Sequence, residues 1–345
     1  MLPSTFRKGT TSFSQTSTML NNNSTPIKLA IIDSYGEPLK SFLQKYFIID
    51  FVQDFHQADY LLYGDFGFNH ASFHGVKIFI TGENHKANLR ACDYALTHER
   101  QESERCFRLP YWMQWIFSYE HIKEQLLQPR PPLHIEDIKR EPRKFCNFIY
   151  RNHVCKTRNR FYKHLSKYKK IDSPGPLFNN MSTALLNEVG KFNFQKNYRF
   201  SIAFENKANP GYQTEKLMDA LMSRSVPIYW GNTFVAEDFN PAAFINYNDF
   251  PDEKALIEYI IKVDNDDKLL LSYLNQPIFL DDQFISKKEQ ELALWFSHIF
   301  SSKQQHRSQK DKIMFWTSQF YGHPFFYHLR RISRCIRRKL KNKTK

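Results

Sequence analysis

The stretch FENKANPGYQTEKLMDA, residues 204–220, gathers Glu205, Lys207, Glu215, Lys216 and Asp219 around a Pro-Gly turn, directly behind the apolar run YRFSIAF. Ionisable side chains clustered where a strand ends suit a polar ligand better than a core. Glu215 and Lys216 fall in the first turn of a helix that Thr214 is placed to cap. There the unpaired backbone N–H groups and the helix dipole favour an anion, and Lys216 adds a full positive charge. Taken alone, this is also how an ordinary helix begins. The neighbours shift the balance: Gly211 permits close backbone approach, Tyr212 offers a flat face and a hydroxyl, and Glu205 and Asn206 supply acceptors and a donor for hydroxyl groups. That set suits a sugar nucleotide. A second stretch, IFITGEN, repeats the device with Glu83 and Asn84 behind another apolar run. A lone loop carboxylate is commonplace, but facing the first cluster across a cleft it is placed to act as a general base.

Such placement needs parallel strands whose carboxyl ends meet. YRFSIAF, then TEKLMDALMSR, then VPIYWG reads as strand, helix, strand, with Leu217, Ala220 and Leu221 on one helical face and Pro227 resisting continuation of the helix. This βαβ crossover puts the charged loop at the carboxyl end of a strand, where open α/β sheets bind ligands. Upstream, IKLAIID, YFIIDFV, YLLYG and VKIFI read as further strands, with room between them for short helices. The four prolines and mixed charges of PRPPLHIEDIKREPRK, residues 129–144, interrupt the pattern as an interdomain linker would. Beyond it FCNFIY and the helical TRNRFYKHLSKY open a second α/β series. The fold class is therefore α/β. We expect a Ser/Thr/Asn-rich disordered leader over 1–25, one Rossmann-like domain over 26–140, a second over 141–322 and a basic tail over 323–345.

Composition bounds the function. The 345 residues are 41% hydrophobic and 16% aromatic, which suits two folded domains and excludes a disordered chain. The net charge of +14 invites a nucleic-acid reading, but ten of the Lys and Arg residues, with no Asp or Glu among them, lie in 312–345. The body carries only +4, so nucleic acid is not the expected partner. Five cysteines at scattered spacings, without a CxxC pair, fit a reducing, cytosolic compartment. Neither a signal peptide nor a run of about 18 apolar residues is present. Asp264, Asn265 and Asp266 form a DND triplet, which reads as a polar turn before a helix rather than a metal site.

FSIAFENKANPGYQTEKLMDALMSRSVPIYWG resembles the signature of the α-1,3/4-fucosyltransferases, glycosyltransferase family 10, in a bacterial form. The similarity extends through FCNFIYRNHVCKTRNRF and DFNPAAFINYNDF, and more faintly to FITGENHKANLRACDYAL, covering roughly 76–250. The resemblance implies a GT-B fold: two Rossmann-like domains facing across a cleft, with GDP-fucose held by the second and a galactose- and N-acetylglucosamine-containing glycan by the first. It implies an inverting transfer of fucose to O3 of N-acetylglucosamine, with no cofactor and no metal. On this footing Glu83 resembles the general base, Arg158 and Lys216 the cations at the diphosphate, and Tyr212 and Glu215 further donor-binding positions. Glu205 and Asn206 belong to the F-E-N element of the donor site, and Arg160 could exchange roles with Arg158. A Lewis-type product on a lipopolysaccharide chain is expected; activity on type 1 chains, or a silent binding relative, is the alternative. In PFFYHLRRISRCIRRKLKNKTK, Phe325, Leu329, Ile332, Ile336 and Leu340 recur at helical spacing among basic residues. The tail is expected to reach an anionic membrane surface, keeping the protein cytoplasmic and peripheral to the inner membrane.

Overall fold

The structure, a computed structural model, describes residues 25–34, 36–100, 103–181 and 188–305. The leader, save Thr25, and the basic tail lie outside the described residues.

Two wholly parallel sheets account for all the described strands. The first is built from β1 (Ile27–Ile32), β2 (Ile49–Phe51), β3 (Tyr60–Tyr63), β4 (Val76–Ile80), β5 (Tyr94–Thr97) and β6 (Cys106–Arg108), in the order β2-β1-β3-β4-β5-β6. The second contains β7 (Lys144–Asn147), β8 (Ile171–Asp172), β9 (Tyr198–Phe204), β10 (Val226–Trp230) and β11 (Ile245–Asn246), in the order β11-β10-β9-β7-β8. All four residues of β3 and of β5 are buried, the pattern of strands covered on both faces. The helices are α1 (Lys40–Tyr46), α2 (Tyr111–Ser118), α3 (Glu120–Leu127), α4 (Ile135–Arg140), α5 (Lys156–Leu165), α6 (Glu188–Gln195), α7 (Glu215–Met222), α8 (Glu253–Asp264), α9 (Asp267–Leu274) and α10 (Phe284–Ser302). No described helix is long and apolar enough to cross a membrane.

The crossover read from the sequence is present: β9 and β10 pair in parallel, Phe200 beside Val226 through Phe204 beside Trp230, with α7 between them. Other crossovers differ from expectation. From β3 to β4 the chain makes only a 3₁₀ turn at Asn69–Ser72, and no α-helix lies between β4 and β5. That face of the first sheet is covered by loops over a small cluster around Leu61, Tyr63, Phe73 and Ala95. The proline-rich linker holds a helix of its own, α4, started by a reciprocal pair in which the His134 backbone N–H donates to Asp137. The DND triplet is a helix junction: Asp264 pairs with Lys169 and Arg199, and Asp266 accepts the backbone N–H groups of Lys268 and Leu269 at the start of α9.

Apolar packing crosses between the units. One cluster joins Leu29, Leu62 and Ile78 of the first sheet to Trp112 and Ile116 of α2, Leu217, Met218 and Leu221 of α7, and Phe296 and Phe300 of α10. Thus α10, which chain order groups with the second unit, packs on the first. Its Phe300 ring meets Phe47 and Tyr60 edge-on at 5.1 and 4.9 Å, and the Tyr60 hydroxyl donates to the Phe300 carbonyl. A partly buried ion pair fastens the same junction: the Arg108 guanidinium makes two bonds, 2.8 and 2.6 Å, to the buried Asp238 carboxylate, beside which Trp112 packs on Phe239.

Candidate functional site

The carboxyl ends of β3, β4 and β9 open on one cleft of about 660 Å³. Asp65, Glu83, Tyr111 and Trp115 line it from the first unit. From the second come Lys191, Asn206, Tyr212, Glu215, Lys216 and Asp219.

On the second wall, β9 runs straight into Glu205, which is fully buried. Its carboxylate accepts the Thr214 backbone N–H and the Thr214 hydroxyl, each at 2.8 Å, and lies 3.4 Å from the Lys216 ammonium. Glu205 therefore ties the two ends of the 205–214 loop together, and Gly231 leaves it room: a Cβ there would sit 2.5 Å from the Glu205 side chain. Burial pushes the Glu205 carboxyl up despite Lys216. Thr214 stands at the start of α7 as the sequence suggests, but its hydroxyl turns to Glu205 and accepts from Lys216 at 2.7 Å instead of capping the helix.

Glu215 is the electrostatic opposite of Glu205. Burial alone would raise it, yet Lys216 at 3.6 Å and Lys191 at 3.9 Å outweigh burial and hold it down at about 2. Lys216 is raised in turn, because Glu215 and Glu205 outweigh its own burial. Tyr212 is buried, with its ring edge-on to His98 at 5.3 Å, and burial followed by the Glu205 charge raises its phenol. The turn before it requires glycine: Gly211 has φ +80°, and a Cβ would stand 2.2 Å from the His98 carbonyl oxygen.

Arg158 of α5 is fully buried and does not line the cleft. Its guanidinium lies over the Tyr150 ring at 4.0 Å and donates to Asn206 at 2.8 Å and to the Asn152 carbonyl at 2.5 Å. It touches the cleft through Asn206, which does line it. Arg160 points elsewhere, to Glu253 and Tyr247 on the exposed side of α5.

On the first wall, the Glu83 backbone N–H donates to the Thr81 hydroxyl at 3.0 Å, and that hydroxyl donates to Asp65. Asp65 also holds His85 at 3.0 Å; this bond, then the Asp65 and Glu83 charges, raises His85 against its partial burial. Gly82 admits the Tyr111 ring, which a Cβ would meet at 2.2 Å. Asn209 donates to Asn84 at 2.5 Å, joining the two loops across the cleft. Glu83 thus lines the cleft, exposed, from a turn braced on both sides, and its charge reaches Tyr212 on the other wall. Among the described residues no group of His, Cys, Asp and Glu is arranged to hold a metal ion.

Lys191, Asp65 and Trp115 were not singled out by sequence, and Asp219 was named among the charges of its stretch but not as a site residue. Asp219 was reachable, since it lies one helical turn beyond Glu215 on the same face of α7. Lys191 carries no local signal: it sits in GKFNF before β9 and reaches the cleft only because α6 packs on α7.

Residues 138–314 match the family model described as glycosyltransferase family 10 (fucosyltransferase) C-term, and 30–115 match that of the alpha-(1,3)-fucosyltransferase FucT N-terminal domain. The chain is 28% identical over 280 residues to alpha-(1,3)-fucosyltransferase FucT of Helicobacter pylori, covering 70% of this chain and 58% of that protein. It is 32% identical over 141 residues to alpha-(1,3)-fucosyltransferase B of Drosophila melanogaster, covering 38% of this chain and 32% of that one. The chain thus spans between a third and somewhat over half the length of these curated relatives. A crystal structure of an alpha1,3-fucosyltransferase superposes with TM-score 0.70 at 24% identity, covering 84% of this chain and 94% of that one; one solved with GDP-fucose gives 0.68 at 22%, covering 86% and 96%. The fold is accordingly GT-B.

Proposed function

The chain belongs to glycosyltransferase family 10, the fucosyltransferases, and from that premise we propose that it is an inverting α-1,3-fucosyltransferase. It moves fucose from GDP-fucose to O3 of N-acetylglucosamine in a glycan such as N-acetyllactosamine, giving a Lewis-type product on a lipopolysaccharide chain. The supporting observation is a single cleft with Glu83 on one wall and Lys216, Glu215, Tyr212 and Asn206 on the other.

Inversion in one displacement needs a base behind the attacking hydroxyl and positive charge at the departing diphosphate. Glu83 takes the proton of the acceptor hydroxyl as the C1–O bond to GDP breaks and the new C1–O bond forms. Lys216 and the N-terminal N–H groups of α7 offset the charge that grows on the leaving diphosphate. Arg158 acts through Asn206, which it holds at the cleft wall. General-base catalysis is worth roughly 10²–10⁴-fold, so positioning and electrostatics carry the remainder.

The test is release of GDP from GDP-fucose, with and without N-acetyllactosamine. Acceptor-dependent release should fall about 10²–10⁴-fold in Glu83→Gln while GDP still binds. Full release in that variant would move the base to another carboxylate, and a wild-type protein that binds GDP without turnover would point to a different acceptor or to a silent binding relative. We also propose that the basic tail holds the protein at an anionic membrane face. Deletion of 324–345 should then shift it to the soluble fraction, and unchanged partitioning would remove the idea.

A further inference from the structure

The charges on the second wall set a problem for any diphosphate. Among the described residues the cleft is lined by two lysines, Lys191 and Lys216, and by no arginine. They interleave with carboxylates: Asp219 lies 2.5 Å from Lys191, Glu215 lies 3.9 Å from Lys191 and 3.6 Å from Lys216, and Glu205 lies 3.4 Å from Lys216. With all groups ionised, three carboxylates face two ammonium groups, and a polyanion meets cations that are already partnered. Something in this row must exchange partners.

The partners differ in freedom. Glu205 is sealed, and both its oxygens are spent on Thr214 and Lys216. Asp219 is not: about a fifth of its side chain is exposed, as is that of Lys191, and both line the cleft. A lysine on its flexible stem can therefore leave Asp219 to cleft water and turn to phosphate oxygens at little cost. Resting on the donor reading above, we propose that Lys191 is a second diphosphate-binding cation, held by Asp219 until the donor enters and then released to the leaving group. Lys216, fixed through Thr214 and Glu205, is the stationary cation of the pair; Lys191 is the movable one. The bland account, a salt bridge that only docks α6 on α7, gives no reason for both groups to line the cleft.

The experiment is calorimetric titration of the full chain with GDP and, separately, with inorganic pyrophosphate, for wild type, Lys191→Gln and Asp219→Asn, with melting temperatures recorded beside each. Loss of one charge-assisted contact should weaken both ligands about tenfold in Lys191→Gln. Asp219→Asn, which frees Lys191, should bind both at least as tightly as wild type. A loss under fivefold in Lys191→Gln overturns the proposal, and so does weakening in Asp219→Asn, which would make the pair structural. The second variant decides the matter if Lys191→Gln fails to fold. Wild type that binds pyrophosphate but not GDP would sink the donor reading while leaving Lys191 to be judged on pyrophosphate; wild type that binds neither would sink both.

Discussion

Glu205 and Glu215 stand at the two ends of one loop, and their surroundings drive them in opposite directions. Burial raises Glu205 above its ordinary value near 4.5, whereas Lys216 and Lys191 overcome burial at Glu215 and lower it to about 2. The signs follow by linkage. A carboxyl depressed in the folded state contributes stability that is complete above about pH 4.5 and is lost as pH falls toward 2. One that is raised contributes stability that is complete below about pH 4.5 and is lost above it, as pH rises through the raised folded value. Urea midpoints measured from pH 2 to 7 should therefore show a shallower acid fall in Glu215→Gln, and a flatter trend just above pH 4.5 in Glu205→Gln. An unchanged acid limb in Glu215→Gln would mean that Lys191 and Lys216 do not hold its charge. The types and order of Glu205, Tyr212, Glu215 and Lys216 were legible in the sequence because they share one loop and one helical turn. Which of them face the cleft was not legible, since that depends on where Glu205 finds Thr214.

At the scale of elements, legibility follows sequence distance. The β9–α7–β10 unit was readable because every signal for it lies within one stretch: an apolar run, a Pro-Gly turn, a helical stripe, and a proline that stops the helix. The helix α4 was hidden by its prolines, although His134 and Asp137 have the reciprocal spacing of a helix start. The missing helices after β3 and β4 were also unforeseen, because a loop can cover a sheet face as well as a helix can when the cluster beneath it is as small as that around Phe73. What sets the two walls against each other is longer-range still. Arg108 ends β6 and Asp238 follows β10, and neither has a local feature that marks it as half of an ion pair between the units. The same holds for Asn84 and Asn209, whose bond lies between Glu83 and the Gly211 turn and so fixes how the Glu83 turn meets the charged loop. Each half of the site is thus written locally, and their juxtaposition is written in pairs far apart in the chain.

For the whole molecule, the decisive feature is that α10 returns to the first sheet. Phe296 packs on Phe42 at 6.2 Å and on Phe300 at 5.6 Å, and Glu289 carries Lys45 and the buried Lys123 at 2.7 and 3.3 Å. Trp295 donates to the Glu104 carbonyl. A two-unit chain of this length ordinarily unfolds in steps. Here the first sheet's core is completed by a helix from beyond the second, and α7 and Asp238 enter the same packing. The two units should therefore lose their structure together. Phe296→Ala, a fully buried aromatic truncated in a tight core, should cost about 3–5 kcal/mol. It should lower the unfolding midpoint for tryptophan fluorescence and for retained GDP binding by the same amount, although the Lys216 wall of the cleft lies in the other unit. Two separate transitions, with only one of them moved by Phe296→Ala, would show that the units stand independently and that the cleft is held by its own loops alone. Coincident movement would mean that the geometry between Glu83 and Lys216 depends on a helix that touches neither.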